Sequence, residues 1–169
     1  MAQAHLEHKA QAPASARCYV LTISDTRTEK TDTSGAAISE LLRADGHQIT
    51  GRRLIRDEPA EVRATIEQQL SNPEVEVIIT TGGTGLSSRD STHEAILQLL
   101  DKRLDGFGEL FRMLSYHEIG AAAMMSRACA GTSKGKVVVS LPGSENAVRL
   151  AMTKLILPEL GHMVREVSR

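Results

Sequence analysis

Residues 75–92 read VEVIITTGGTGLSSRDST, and the succession of residue types within them decides the fold. The apolar, β-branched run over 75–81 predicts a strand covered on both faces, as in a parallel sheet flanked by helices. It stops at Gly82, Gly83 and Gly85. A helix then begins near Ser91, with Ala95, Ile96, Leu99 and Leu100 recurring on one side. Strand, glycine turn and helix in that order make the repeating half-unit of an α/β domain.

The same alternation extends in both directions. CYVLTIS (18–24) predicts a first buried strand. Asp32, Thr33 and Ser34 then offer helix N-caps, Ile38, Leu41 and Leu42 form an apolar stripe, and Gly46 supplies a left-handed stop. A second strand fits 47–56. Pro59 opens a helix carrying Val62, Ile66 and Leu70, which Asn72 and Pro73 end. Downstream, a break over 105–108 precedes a helix in GELFRMLSYHEIG (108–120). SRACAG and TSKG predict a short strand and turn pairing with KVVVSLPGS (136–144), and a helical pattern from Ser144 reaches the C-terminus, interrupted or restarted at Pro158. The predicted fold is α/β: three layers, a mostly parallel sheet with helices on both faces and a short antiparallel edge strand. Nothing splits the chain internally. Residues 1–16, with His5 and His8, read as a flexible tail ahead of one domain over 17–169.

Composition narrows the function classes. Within 169 residues, 20 Lys and Arg balance 21 Asp and Glu, for a net charge of -1. No surplus of cations gathers to neutralise a phosphate backbone. With two Tyr, two Phe and no Trp, there is no base-stacking platform either, so nucleic acid is not the expected partner. No stretch approaches the roughly 20 apolar residues of a membrane span, and the N-terminal residues lack a secretory signal, so a cytoplasmic protein is expected. Cys18 and Cys129 form no metal or redox motif and read as small buried hydrophobes. His47, His93, His117 and His162 are scattered over different elements and predict no metal cluster.

Ligands of open α/β sheets bind at the carboxyl ends of the strands. The loops there read SDT (24–26), RDEP (56–59), TTGGTGLSSRDST (80–92) and LPGS (141–144). In the third, Gly82, Gly83 and Gly85 allow positive φ and close backbone approach, and the Thr81 and Thr84 hydroxyls can reach phosphate oxygens. The loop is neither a Walker A sequence nor a dinucleotide fingerprint. It reads as a phosphate cradle or as a tight turn alone. Asp90, beside it, is placed to hold Mg²⁺ together with substrate phosphate. Asp57 and Glu58 either assist such a metal or cap the helix at Pro59. Ser91 and Glu94 fit a capping box. Ser144 marks a second anion site or an N-cap.

GGTGLSSRDSTHEA, together with SDT, DTSG (32–35), GFGELFRMLSYHEIG and SLPGS, resembles the MoaB/MogA family of molybdenum cofactor biosynthesis proteins over roughly residues 17–166. The GFGELFRMLSYHEIG stretch and SRACAG look most like the MoaB branch. The resemblance implies the molybdopterin-binding fold and a molybdopterin adenylyltransferase. Such an enzyme uses ATP and Mg²⁺ to place AMP on the terminal phosphate of molybdopterin, releasing pyrophosphate. A non-catalytic molybdopterin carrier of the same fold is the alternative. Carried over by motif, Gly82, Gly83, Thr84 and Gly85 would wrap nucleotide phosphate, and Asp57 and Asp90 would be the catalytic or Mg²⁺-associated acids. Ser24, Asp25, Ser126, Ser140, Pro142, Gly143 and Ser144 would line the pterin and nucleotide pocket. Phe107 and Glu109 lie in a family-typical segment. A homotrimer or homohexamer, a downstream molybdenum-insertion protein and the absence of a tightly bound structural metal are further implications.

Overall fold

A computed structural model of the chain describes residues 12–87 and 91–169. Strand β1 spans Arg17–Ile23, helix α1 Thr33–Ala44, β2 Gln48–Ile55, α2 Pro59–Leu70, β3 Val77–Gly82 and α3 Thr92–Leu99. A two-residue strand β4, Lys102–Arg103, leads into α4, Asp105–Ile119, and a 3₁₀ segment, Gly120–Met125. Strands β5 (Cys129–Ser133) and β6 (Lys136–Leu141) follow. The C-terminal helix runs as α5 (Glu145–Ala151), a π turn (Met152–Ile156) and α6 (Leu157–Val167).

The six strands lie in the order β2-β1-β3-β6-β5-β4. The first four are parallel, while β5 runs antiparallel to both β6 and β4. The expected α/β architecture is therefore present, with its antiparallel part at one edge. Residues Lys134 and Gly135, both at positive φ, make the two-residue turn of the β5–β6 hairpin.

Alternating side chains divide the interior in two. Cys18, Val20, Val77, Ile79, Val137 and Val139 face α1, α4, α5 and α6, meeting Ile38, Leu42, Phe111, Val148, Met152, Ile156 and Leu160. Tyr19, Leu21, Ile23, Ile78 and Val138 face the opposite layer and pack on Val62, Ile66 and Leu70 of α2 and Ile96 of α3. Period-two alternation on strands covered from both sides produces this sorting.

Several boundaries differ from expectation. Helix α4 starts at Asp105, inside the expected break, because Gly106 and Gly108 do not interrupt a helix whose Phe107 and Phe111 sit on the core. The C-terminal helix, by contrast, restarts as expected: α6 begins at Leu157 with Pro158 in its first turn, after the π turn Met152–Ile156. The Ser91–Glu94 capping box is absent. Ser91 is the N-cap residue without a side-chain cap bond, and the Glu94 carboxylate instead pairs with Arg127.

Candidate active site

Register places the loop starts in one row. Ile23 of β1 pairs with Ile55 of β2 and with Gly82 of β3, while Thr81 of β3 pairs with Leu141 of β6. Four parallel strands therefore end level. The chain also passes from β1 to β2 on one side and then to β3 on the other, so β1 and β3 flank a topological switch point where their loops diverge and leave a crevice.

At β3 the backbone turns sharply. Gly82 has φ +93°, and a Cβ there would lie 2.1 Å from the Ile23 carbonyl oxygen. Gly83 has φ +68°, and a Cβ would lie 2.7 Å from Thr92 Cγ2. Both the handedness and the close approach thus require glycine. Gly85 is not among the residues at positive φ; its carbonyl instead accepts from Arg127 Nη2. Thr81 does not face a ligand. Its buried Oγ1 donates to the Pro142 carbonyl at 2.9 Å, strapping the glycine loop to the loop after β6.

Two acids meet at the rim. The Asp57 N–H donates to Asp25 Oδ1 at 3.1 Å, and Thr92 Oγ1 donates to Asp57 Oδ1 at 2.6 Å. One oxygen of each carboxylate is thereby fixed, and the other accepts no hydrogen bond from the described residues. Ser24 Oγ accepts from the N–H groups of Thr26 and Arg27, at 3.3 and 3.1 Å, and shapes its own loop. Glu58 precedes α2 without a side-chain cap bond. Asp90 lies outside the described residues.

Arginines hold the loops in place. Arg27 Nη2 donates to the Gly143 carbonyl at 2.5 Å and Nη1 donates to Ser34 Oγ, whose hydroxyl donates to the same Gly143 carbonyl at 3.1 Å. Asp32, 3% exposed, stands 3.8 Å from Arg27 and accepts from Arg52 at 2.7 Å, from the Gly35 N–H at 2.9 Å and from Thr22 Oγ1 at 2.7 Å. Burial alone would raise the Asp32 carboxyl, but the hydrogen bonds from Arg52, Gly35 and Thr22 outweigh it and hold the group below the usual carboxylate range. On the other side, Arg127 Nε donates to the Thr84 carbonyl at 3.0 Å. Arg27, Ser34, Asp32 and Arg127 were not singled out as site residues from the sequence. The adjacency of Arg27 to SDT and of Arg127 to Ser126 was the available signal.

The remaining expected residues divide. Pro142 and Gly143 lie on the loop after β6, and Ser144 caps α5 by accepting from the Ala147 N–H at 3.3 Å. Ser140 is fully buried within β6 opposite Thr80, below the rim, and neither hydroxyl has a partner. Ser126 ends the 3₁₀ segment with its hydroxyl buried and unpartnered. Between the glycine loop and the loop after β6 opens a slot of about 380 Å³, lined by Thr84, Leu86, Phe111, Ile119, Met125 and Pro142 among others. Its apolar walls suit a flat ring system.

Among the described residues no three His, Cys, Asp or Glu side chains cluster as a metal site. The Asp25–Asp57 pair nevertheless has the donor chemistry of a Mg²⁺ site completed by substrate: one or two carboxylates, each with an uncommitted oxygen, beside a place for phosphate. No described helix is long and apolar enough to cross a membrane.

Level strand ends, a switch-point crevice and a glycine turn define an α/β domain built to bind a ligand at its rim. The family described as "Probable molybdopterin binding domain" matches residues 19–162, and the chain belongs to it. It is 53% identical over 164 residues to molybdenum cofactor biosynthesis protein B of Bacillus cereus, covering 96% of this chain and 97% of that protein. A crystal structure of a molybdenum cofactor biosynthesis protein B superposes with a TM-score of 0.89 at 52% identity, over 93% of this chain and 98% of that one. The tungsten cofactor synthesizing protein MoaB from Pyrococcus furiosus superposes at 0.83 with 36% identity, over 94% and 100%.

Proposed function

We propose that the chain acts in molybdenum cofactor biosynthesis as a molybdopterin adenylyltransferase. A phosphate oxygen of molybdopterin attacks the α-phosphorus of ATP, forming a new P–O bond. The bond bridging the α- and β-phosphates breaks, and pyrophosphate leaves with its electron pair. A phosphate monoester is ionised at neutral pH, so no side chain has to remove a proton from the nucleophile. Catalysis then rests on alignment and charge neutralisation.

The observation that carries this reading is the meeting of Asp25 and Asp57 beside the Gly82–Gly83 turn on one level rim. The turn lets nucleotide phosphate approach the backbone, with Thr84 and Gly85 completing the loop. The apolar slot receives the adenine ring. Asp57 and Asp25, joined by Asp90, would hold Mg²⁺, which when bound neutralises charge on the phosphates. Ser24, Ser126, Pro142, Gly143 and Ser144 border the space left for the pterin phosphate. Leu110, Met113, Tyr116, Ile119, Met124 and Met125 are all exposed, and this apolar face supports assembly of copies into a trimer or hexamer. The adenylylated product would pass to a molybdenum-insertion protein.

The test is incubation of the purified protein with ATP, Mg²⁺ and molybdopterin. Pyrophosphate release that depends on both substrates supports the transferase. Pterin binding without release identifies a carrier of the same fold, and binding of neither ligand rejects both readings.

A further inference from the structure

The chain is anchored before β1 begins. The Ala16 N–H donates to His47 Nδ1 at 3.1 Å, the Ala16 carbonyl accepts from the Gln48 N–H at 2.9 Å, and the residue is fully buried. Ahead of it, the chain crosses α6 at Gly161, where a Cβ would lie 2.5 Å from the Pro13 carbonyl oxygen and 3.4 Å from Ala12 Cβ. Glycine weakens a helix interior, and any side chain at this position would collide with the crossing segment. Helix α6 is thus shaped for the N-terminal chain to pass over it.

On the other side of α6 lies a groove. A cavity of about 560 Å³ opens between this helix and the β5–β6 hairpin, and none of its lining residues belongs to the strand-end loops. Leu104, Val137, Met163 and Val167 give it an apolar wall, and Leu104 is 40% exposed. The charges at its edge are unequally matched. Asp101 accepts from the Lys134 N–H at 2.7 Å, and Glu166 stands 3.5 Å from Arg169. Lys102 is exposed and forms no ion pair with any described residue. At about 100° per residue, Gly161 and Met163 project from opposite sides of α6. Half the circumference of a helix with its side chains is about 16–19 Å, which six extended residues cover at about 3.3 Å each. Leu6 stands six residues ahead of Ala12. Apart from Met1 it is the one large apolar side chain among residues 1–11, and Glu7 follows it.

We propose that this groove is the docking site of the chain's own N-terminal segment, which passes from the Gly161 crossing over the outer face of α6 and places Leu6 between Met163 and Val167. Leu6 covers the apolar wall, and Glu7 meets the ammonium of Lys102. Length, apolar character and charge thus agree on one stretch of the chain. The N-terminal segment of a neighbouring copy carries the same residues, so the test separates the two sources.

Trypsin cleavage after Lys9, followed by mass spectrometry of the full chain, reads the docking, because a bond beside a docked segment is cut when that segment leaves its groove. Leu6→Asp should speed the cut by about tenfold or more, the order expected from exposing one leucine. Leu6→Met should stay near the wild-type rate. Position 6 precedes the first strand, so neither change reaches the core. A rate unchanged by Leu6→Asp would overturn the proposal. Leu6→Cys combined with Met163→Cys gives the location: mild oxidation should form a disulfide within one chain. A disulfide joining two chains would assign the groove to a neighbour's segment, and absence of any disulfide would leave it to neither; both results overturn the proposal. Cleavage and crosslinking are read without substrate, so failure of adenylyl transfer at the rim leaves them intact.

Discussion

Thr92, the first residue of α3, donates its hydroxyl to Asp57 Oδ1 at 2.6 Å, so the helix after the glycine loop fixes an acid that arrives from β2. Thr92 is fully buried, which leaves the hydroxyl little choice of partner. Replacing Thr92 by Val keeps the volume and removes the bond. Turnover should fall by about tenfold as Asp57 loses its orientation, with a stability loss of about 1 kcal/mol. Pyrophosphate release and a denaturant titration measure the two effects; an unchanged rate would remove Asp57 positioning from the account.

Asp57→Ala and Asp90→Ala should each lower turnover by about 100-fold or more while leaving the fold intact, since each removes an acid that would hold the neutralising cation. Asp57 sits on a loop at the rim rather than in the core, consistent with retained folding. Near wild-type rates in both variants would contradict their roles.

Two glycines, Gly82 at the end of β3 and Gly106 in the first turn of α4, should respond differently to a methyl group. Gly82→Ala collides with the Ile23 carbonyl and forces a left-handed backbone on a non-glycine residue; a loss of about 3 kcal/mol or failure to fold is expected. Gly106→Ala, where a Cβ has nothing within 4 Å in the first turn of α4, should retain most of the stability. Urea denaturation of the two variants side by side distinguishes them.

Acid should weaken the fold through Asp32. Its folded carboxyl is held below the ordinary range, so the stability it contributes is present above the unfolded value, near pH 4, and is lost as pH falls through the folded value. Asp32→Asn should cost about 2 kcal/mol at pH 7 by weakening the bond from Arg52. The difference between variant and wild type should then shrink below about pH 4. A gap independent of pH would show that the charge at position 32 is not what matters.

Neither thiol should react in the folded protein. Burial pushes Cys18 up to about 12 and Cys129 up to about 11, so almost no thiolate exists at neutral pH. Iodoacetamide should label both only after denaturation, with mass spectrometry as the readout.

How far the sequence could be read varied with the kind of interaction. The continuous apolar, β-branched runs at 18–24, 75–81 and 136–141 report burial on both faces, a property each residue carries by itself, and the parallel sheet follows from them. Asp32 as a cap and Gly46 as a stop are likewise local, set within a few residues. What lay beyond reading joins distant segments. Thr81 bonds Pro142 and Arg27 bonds Gly143, across 61 and 116 residues. Glu94 pairs with Arg127, 33 positions away, a guanidinium that the glycine loop also holds. The loops were identifiable as a group, but which of their side chains face a ligand and which brace the loops was not.

Since β1, β3 and β6 pair with one another without a register shift, one residue inserted into any of them would raise its loop by about 3.3 Å and turn the strand's inward side chains outward, whereas β2 already absorbs one extra residue at the shift beside Cys18 and Tyr19. Those three strands thus tolerate almost no change in length, whereas the segments beyond the last paired residue are free to lengthen or shorten. Divergence in what such a scaffold recognises should accordingly accumulate after Ile23, Gly82 and Leu141, and hardly at all before them.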